Sequence, residues 1–117
     1  MSKKPAILVV DEENLLVYSV SEYLTREGFE VKATTSPEKA LSLIGTERFD
    51  VVITDLRMSP LSGTDIIRHL RRSGYEGKII VMSAYFKDFE KELQELKVDA
   101  CLEKPFELSS LLQLIGT

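Results

Sequence analysis

The chain has 117 residues, 44% of them hydrophobic and 29% charged, with 15 basic residues against 19 acidic. That is the size and balance of one domain around one core, and it excludes a disordered chain. A net charge of −4 gives no support to nucleic-acid binding by bulk charge; one cysteine excludes an internal disulfide, and one histidine removes most histidine-based metal and triad chemistry. No apolar run approaches the roughly 18 residues of a membrane span. The five apolar residues between Pro5 and Asp11 are too few for a secretory signal, so no membrane contact and a cytoplasmic location are expected.

Taken in chain order, Ala6-Ile7-Leu8-Val9-Val10 is a continuous apolar run, as in a strand buried on both faces. Residues 14–27 show helical spacing through Leu16, Val20 and Leu24, and Gly28 supplies a left-handed stop. Residues 30–34 alternate, which predicts a half-exposed edge strand. Ser36-Pro37 reads as a helix cap followed by proline at the first helical position, with that helix ending at Gly45. Val51-Val52-Ile53-Thr54 predicts a second central strand, and Ile66, Ile67 and Leu70 a third helix ending by Gly74. Ile79-Ile80-Val81-Met82 predicts a further central strand, after which Phe86, Phe89, Leu93 and Leu96 share one helical face. A short strand at Ala100-Cys101-Leu102 and a helix marked by Leu108, Leu111, Leu112 and Ile115 complete the pattern.

Five strand–helix units in strict alternation specify an α/β fold: a doubly wound five-stranded parallel sheet with helices on both faces. The most apolar strands belong in the middle, which gives the order 2-1-3-4-5, with a switch point between strands 1 and 3 where ligands bind. There Asp11, Glu12 and Asp55 are expected to converge. Neighbouring carboxylates repel unless a cation holds them, and hard oxygen donors suit Mg²⁺. Capping of the first helix is the plainer explanation of the acids at 11–13 alone; Asp55 at the adjacent strand end favours the metal site. Ser83 and Lys104 end strands 4 and 5 on the same rim, a hydroxyl and an ammonium suited to a phosphate, with small Ala84 leaving backbone N–H groups approachable.

Ile7-Leu8-Val9-Val10-Asp11-Glu12, Asp55-Leu56-Arg57-Met58 with Gly63 eight residues after Asp55, Ser83-Ala84 and Lys104-Pro105-Phe106 stand in an order and spacing that resemble a response-regulator receiver domain of bacterial two-component signalling. The resemblance covers residues 1–117 as a single domain, and Asp-Leu-Arg-Met is similar to receivers of the NtrC type. It implies that Asp55 is a phosphoacceptor, taking a phosphoryl group from a phosphohistidine on a sensor histidine kinase or phosphotransfer protein. It implies Mg²⁺ bound by Glu12, Asp55 and the backbone carbonyl of Arg57, with Asp11 acting through water. Ser83 and Lys104 would hold the phosphoryl group. The readout surface would be the fourth helix, fifth strand and fifth helix, roughly 87–115, acting on an output domain beyond Thr117 or on a partner, and offering a homodimer interface. Both a stand-alone regulator and a receiver detached from a longer protein fit; the NtrC-like stretch favours the second.

The chain departs from the family pattern in several places. Cys101 stands where an aromatic residue is usual, and its thiol is expected to pack as a small apolar group. Ser59 precedes Pro60 where proline usually follows Met58 directly, and Glu12 replaces a more frequent aspartate. The resemblance also implies a cis bond at Lys104-Pro105. Arg57 and Tyr85 are expected to flank the phosphoryl site and slow attack by water, and His69 to be a solvated helix residue. Such a domain promotes its own phosphorylation and dephosphorylation and is otherwise no enzyme. Phosphatases with an aspartate nucleophile carry a second aspartate two residues on, where this chain has Arg57. A flavodoxin-like carrier needs a phosphate cradle after strand 1, where this chain has acids. A pseudo-receiver working without phosphorylation is the alternative that keeps the fold.

Overall fold

A computed structural model describes residues 4–84 and 86–116. The chain alternates β1 (Ala6–Val10), α1 (Asn14–Arg26), β2 (Glu30–Thr34), α2 (Pro37–Thr46), β3 (Val51–Asp55), α3 (Gly63–Arg72), β4 (Lys78–Ser83), a 3-10 turn (Phe86–Asp88), α4 (Glu90–Leu96), β5 (Ala100–Glu103) and α5 (Leu108–Gly116). The five strands form one parallel sheet in the order 2-1-3-4-5, as the apolar pattern predicts. Central β3 is buried throughout, whereas β2 and β5 at the edges have mixed exposure.

Strand side chains alternate between faces, and each central strand therefore feeds two cores. Leu8, Val10, Val52, Ile79 and Val81 pack with Ala40, Ile66, Ile67, Leu70 and Leu93 from α2, α3 and α4. Ile7, Val9, Ile53, Ile80 and Met82 pack with Val20, Leu24, Leu111 and Ile115 from α1 and α5. The ends of the helices follow local chemistry. Ser36 caps α2, its side chain accepting from the Lys39 N–H at 3.1 Å, with Pro37 at the first position. Ser62 and Asp65 form a reciprocal capping box at the start of α3.

The fourth helix differs from its sequence pattern. Phe86 falls in the 3-10 turn and Phe89 is the N-cap, so the α-helix itself is seven residues long. It ends on Lys97 in the left-handed region, at φ 54°. Cis peptide bonds occur at Lys104-Pro105, as the family resemblance implies, and at Ser59-Pro60, which the sequence did not suggest. No helix among the described residues is long and apolar enough to cross a membrane.

Candidate functional site

β1 and β3 run side by side with Val10 opposite Thr54, so Asp11 and Asp55 leave adjacent strand ends on the C-terminal rim. Asp11 is fully buried and Asp55 is 9% exposed. Lys104, just past β5, brings its ammonium between them. Its Nζ lies 2.6 Å from Asp11 Oδ2, 3.5 Å from Asp55 Oδ2 and 3.3 Å from Glu13 Oε1. The other oxygen of Asp11 accepts from the Glu13 N–H at 2.9 Å, where α1 begins. This local turn precedes the helix: Glu13 is the N-cap of α1 and its side chain makes no capping hydrogen bond, so the acids at 11–13 do not cap α1 as the plainer explanation expects.

The charges explain one another. Burial pushes the Asp55 carboxyl above the usual carboxylate range, and the charge of Asp11 pushes it the same way; Lys104 and the Leu56 N–H pull it down without cancelling the rise. Burial alone would lower the Lys104 pKa, but the hydrogen bond and charge of Asp11, followed by the charges of Asp55 and Glu13, outweigh that and raise it. Lys104 does not neutralise Asp11, Asp55 and Glu13 together. The rim keeps an excess of negative charge beside hard oxygen donors, which is the condition for holding a divalent cation.

Glu12 does not join this group. It is exposed, and its Oε2 accepts from the backbone N–H of Ser59 at 2.9 Å, across to the loop after β3. The expected convergence of three carboxylates is therefore met by Asp11 and Asp55 and not by Glu12, whose longer side chain reaches past the strand ends. Among the described residues no three acidic, histidine or cysteine side chains form a set able to hold an ion.

The remaining expected residues surround the pair. Ser83 is fully buried at the end of β4, and its carbonyl accepts from the Lys104 N–H at 3.0 Å. Arg57 turns outward: its guanidinium lies 2.5 Å from Asp88 Oδ2 and 5.9 Å from the centroid of the Phe89 ring, joining the β3–α3 loop to the 3-10 turn. Tyr85 lies outside the described residues. His69 is exposed on α3, as expected of a solvated helix residue. Cys101 is exposed on the edge strand and so does not pack as a small apolar group; the outward face of β5 carries it beside Phe86, Leu93 and Val98. Partial burial there still pushes its thiol up, away from the reactive thiolate.

Three contributors were not among the site residues expected from the sequence, although Glu13 was weighed there as a helix cap and Ser59 as a departure in the loop. Glu13 shares Lys104, and the Thr54 hydroxyl donates to the Asp55 carbonyl at 2.8 Å. The Ser59 N–H engages Glu12. Glu13 and Thr54 adjoin Asp11–Glu12 and Asp55 in sequence, and that adjacency was the available signal. Gly63 belonged to the motif, and the structure shows why. A Cβ there would lie 1.8 Å from the Asp55 carbonyl oxygen and 2.8 Å from its carbon, and the Gly63 N–H donates to the Leu56 carbonyl at 2.8 Å. The start of α3 is pressed against the backbone of the buried acid, and a side chain would separate them.

A 2-1-3-4-5 sheet with paired acids and a lysine at its switch point defines a receiver domain. The chain belongs to that family: the sequence profile described as "Response regulator receiver domain" matches residues 7–116. Among curated proteins it is 34% identical over 107 residues to the alkaline phosphatase synthesis transcriptional regulatory protein PhoP of Bacillus subtilis, covering 91% of this chain and 44% of that protein. It is 32% identical over 106 residues to the heme response regulator HssR of Staphylococcus saprophyticus, covering 90% and 47%. The chain thus spans about half the length of the curated relatives it matches. Among solved structures, a response regulator receiver protein from Pseudomonas putida superposes with a TM-score of 0.91 at 31% identity, covering 99% of this chain and 98% of that one. The response regulator TrrA of Thermotoga maritima, solved in complex with Mg²⁺ and BeF, superposes with a TM-score of 0.85 at 28% identity, each chain 96% covered.

Proposed function

We propose that Asp55 is the phosphoacceptor of this receiver domain and that the reaction depends on Mg²⁺. The observation that carries the reading is a buried carboxylate at the end of a central strand, with Asp11 beside it and the Lys104 ammonium 3.5 Å away. An Asp55 carboxylate oxygen attacks the phosphorus of a phosphohistidine on a sensor histidine kinase or phosphotransfer protein. The new O–P bond makes an acyl phosphate as the N–P bond breaks, and its electron pair returns to the imidazole. Asp11, Glu12, Asp55 and the backbone carbonyl of Arg57 are the groups that would hold Mg²⁺; Asp11 and Asp55 already stand together, while Glu12 comes in on leaving Ser59. When bound, the ion offsets the charge that builds on the transferring oxygens.

Lys104 and Ser83 then hold the phosphoryl group. Lys104 gives up part of its contact with Asp11 for a group carrying nearly two negative charges and three acceptor oxygens. Because the backbones of Ser83 and Lys104 are joined, drawing both inward displaces the segment between β4 and α4. That displacement transmits the signal to the surface formed by α4, β5 and α5. The surface acts on an output domain or partner, and a homodimer through it is part of the same reading.

The test is intact mass after exposure to acetyl phosphate, with and without Mg²⁺, for wild type and Asp55→Asn. One phosphoryl group gained by wild type alone, and only with Mg²⁺, is the expected result. Equal gain by Asp55→Asn moves the acceptor elsewhere. No gain by wild type, even from a panel of purified kinases, leaves a domain that works without phosphorylation.

A further inference from the structure

Two departures noted separately in the sequence meet in one hydrogen bond. Glu12 is the longer of the two acids that could occupy its position. Ser59 stands where a proline would have no N–H to give. In the folded chain the Glu12 Oε2 accepts from the Ser59 N–H at 2.9 Å, across 47 residues of sequence. Asp11 and Asp55 meanwhile share Lys104 on the rim.

We infer that the backbone amide of Ser59 is a latch on metal binding: it holds Glu12 off the site, and Mg²⁺ must compete with it for that carboxylate. This rests on the reading of Asp11, Glu12 and Asp55 as the Mg²⁺ donors. The physical argument is one of competing states. A hydrogen bond from an N–H to a carboxylate is charge-assisted and stronger than one between neutral groups. Glu12 cannot satisfy both Ser59 and a cation at the strand ends with the same oxygen. The stability of the latched state is therefore subtracted from the affinity for the ion.

The same bond gives metal binding a mechanical output. Ser59 lies in the loop between β3 and α3, two residues from Arg57, and Arg57 is paired with Asp88 on the 3-10 turn. Freeing Ser59 loosens one of the tethers of this loop before any phosphoryl group arrives. Ser59 is a positioning residue: it acts through Glu12 and touches no reacting atom.

The experiment is a titration with MgCl₂ alone, followed by amide ¹H–¹⁵N NMR, on wild type, Ser59→Ala and Ser59→Pro. Alanine keeps the N–H and proline removes it. In wild type the Ser59 amide resonance should move upfield as Mg²⁺ saturates, reporting loss of the bond. Ser59→Pro should bind Mg²⁺ about three- to tenfold more tightly, the weight of one such bond at a solvent-facing site. Ser59→Ala should match wild type. Equal affinity in Ser59→Pro and wild type overturns the latch, as does a Ser59 amide that stays in place while the amides of Asp11 and Asp55 shift. If Ser59→Pro does not fold, the Ser59 amide of wild type decides the matter by itself. Absence of Mg²⁺ binding in every protein refutes the proposed metal site and the latch with it. Equal binding in every protein refutes the latch alone.

Discussion

At the scale of single residues, Asp55 is held in surroundings that make its charged form costly. Burial and Asp11 raise its pKa in the folded chain above the ordinary value of 3.8. Folded Asp55 therefore keeps a proton over a range in which unfolded Asp55 has lost it. Stability falls as pH climbs through that range and stays lower above it. Asp55→Asn removes this cost. Its melting temperature should exceed that of wild type by a few degrees at neutral pH without metal, and the gap should shrink towards acid pH. Adding Mg²⁺ should narrow it by stabilising wild type alone. Thermal melts of both proteins across pH, with and without Mg²⁺, check all three statements. A gap that does not change with pH would place its origin outside Asp55 ionisation.

Much of this residue-scale chemistry was legible in the chain. Asp55 and Ser83 end strands, Asp11 and Lys104 directly follow them, and the strand order alone brings all four to one rim. The destination of Glu12 was not legible, because a backbone N–H carries no signature in the side-chain alphabet. Neither was the outward course of Arg57, which depends on where Asp88 and Phe89 come to lie.

Among the elements, α4 depends most on its neighbours. It has seven residues, of which Leu93 is buried, and isolated helices of that length do not persist in water. Arginines from the α3 side hold it in place. Arg68 pairs with Glu92 at 2.5 Å. Arg71 Nε donates to the Leu96 carbonyl at 2.8 Å and its NH2 to the Lys97 carbonyl at 2.6 Å, capping the helix C-terminus. The Arg68 pair is part-exposed and contributes little. The Arg71 bonds reach two backbone carbonyls at the helix end and count for more. Arg71→Met should cost about 1–2 kcal/mol locally. Hydrogen exchange of the 90–97 amides should quicken roughly tenfold while that of β1 and β3 is unchanged. Uniform quickening across the sheet would show that α4 does not open by itself. This also explains why the sequence pattern overstated the helix. Phe86 and Phe89 have the helical spacing of core residues, but both pack from the 3-10 turn and the cap, where the backbone is set by tertiary contacts.

For the molecule as a whole, the apolar runs and their alternation were enough to order the sheet. A strand buried on both faces reads differently from one at an edge, and β1, β3 and β4 read that way. The same alternation separates two cores, one on each face of the sheet. The layer of α2, α3 and α4 covers one face of the sheet, and the α1 and α5 layer, with Leu111 fully buried, covers the other. Leu111→Ala should cost about 3 kcal/mol of global stability, typical of a leucine truncated in a packed core, and lower the melting temperature by on the order of 10 °C. Mg²⁺ affinity, measured by the same NMR titration below the melting temperature, should be unchanged. A parallel loss of affinity would mean that the two layers are coupled through the sheet.

The contact between Lys104 and Asp11 joins residues 93 positions apart. During synthesis Asp11 leaves the ribosome 93 residues ahead of its countercharge. A chain interrupted before β5 presents Asp11 and Asp55 at the strand ends with no ammonium to draw them together, and it leaves the outer flank of β4 uncovered. Competence of the site is therefore a late event in the life of each molecule. On the proposed reading, a copy cut short there lacks the ammonium that would hold the phosphoryl group.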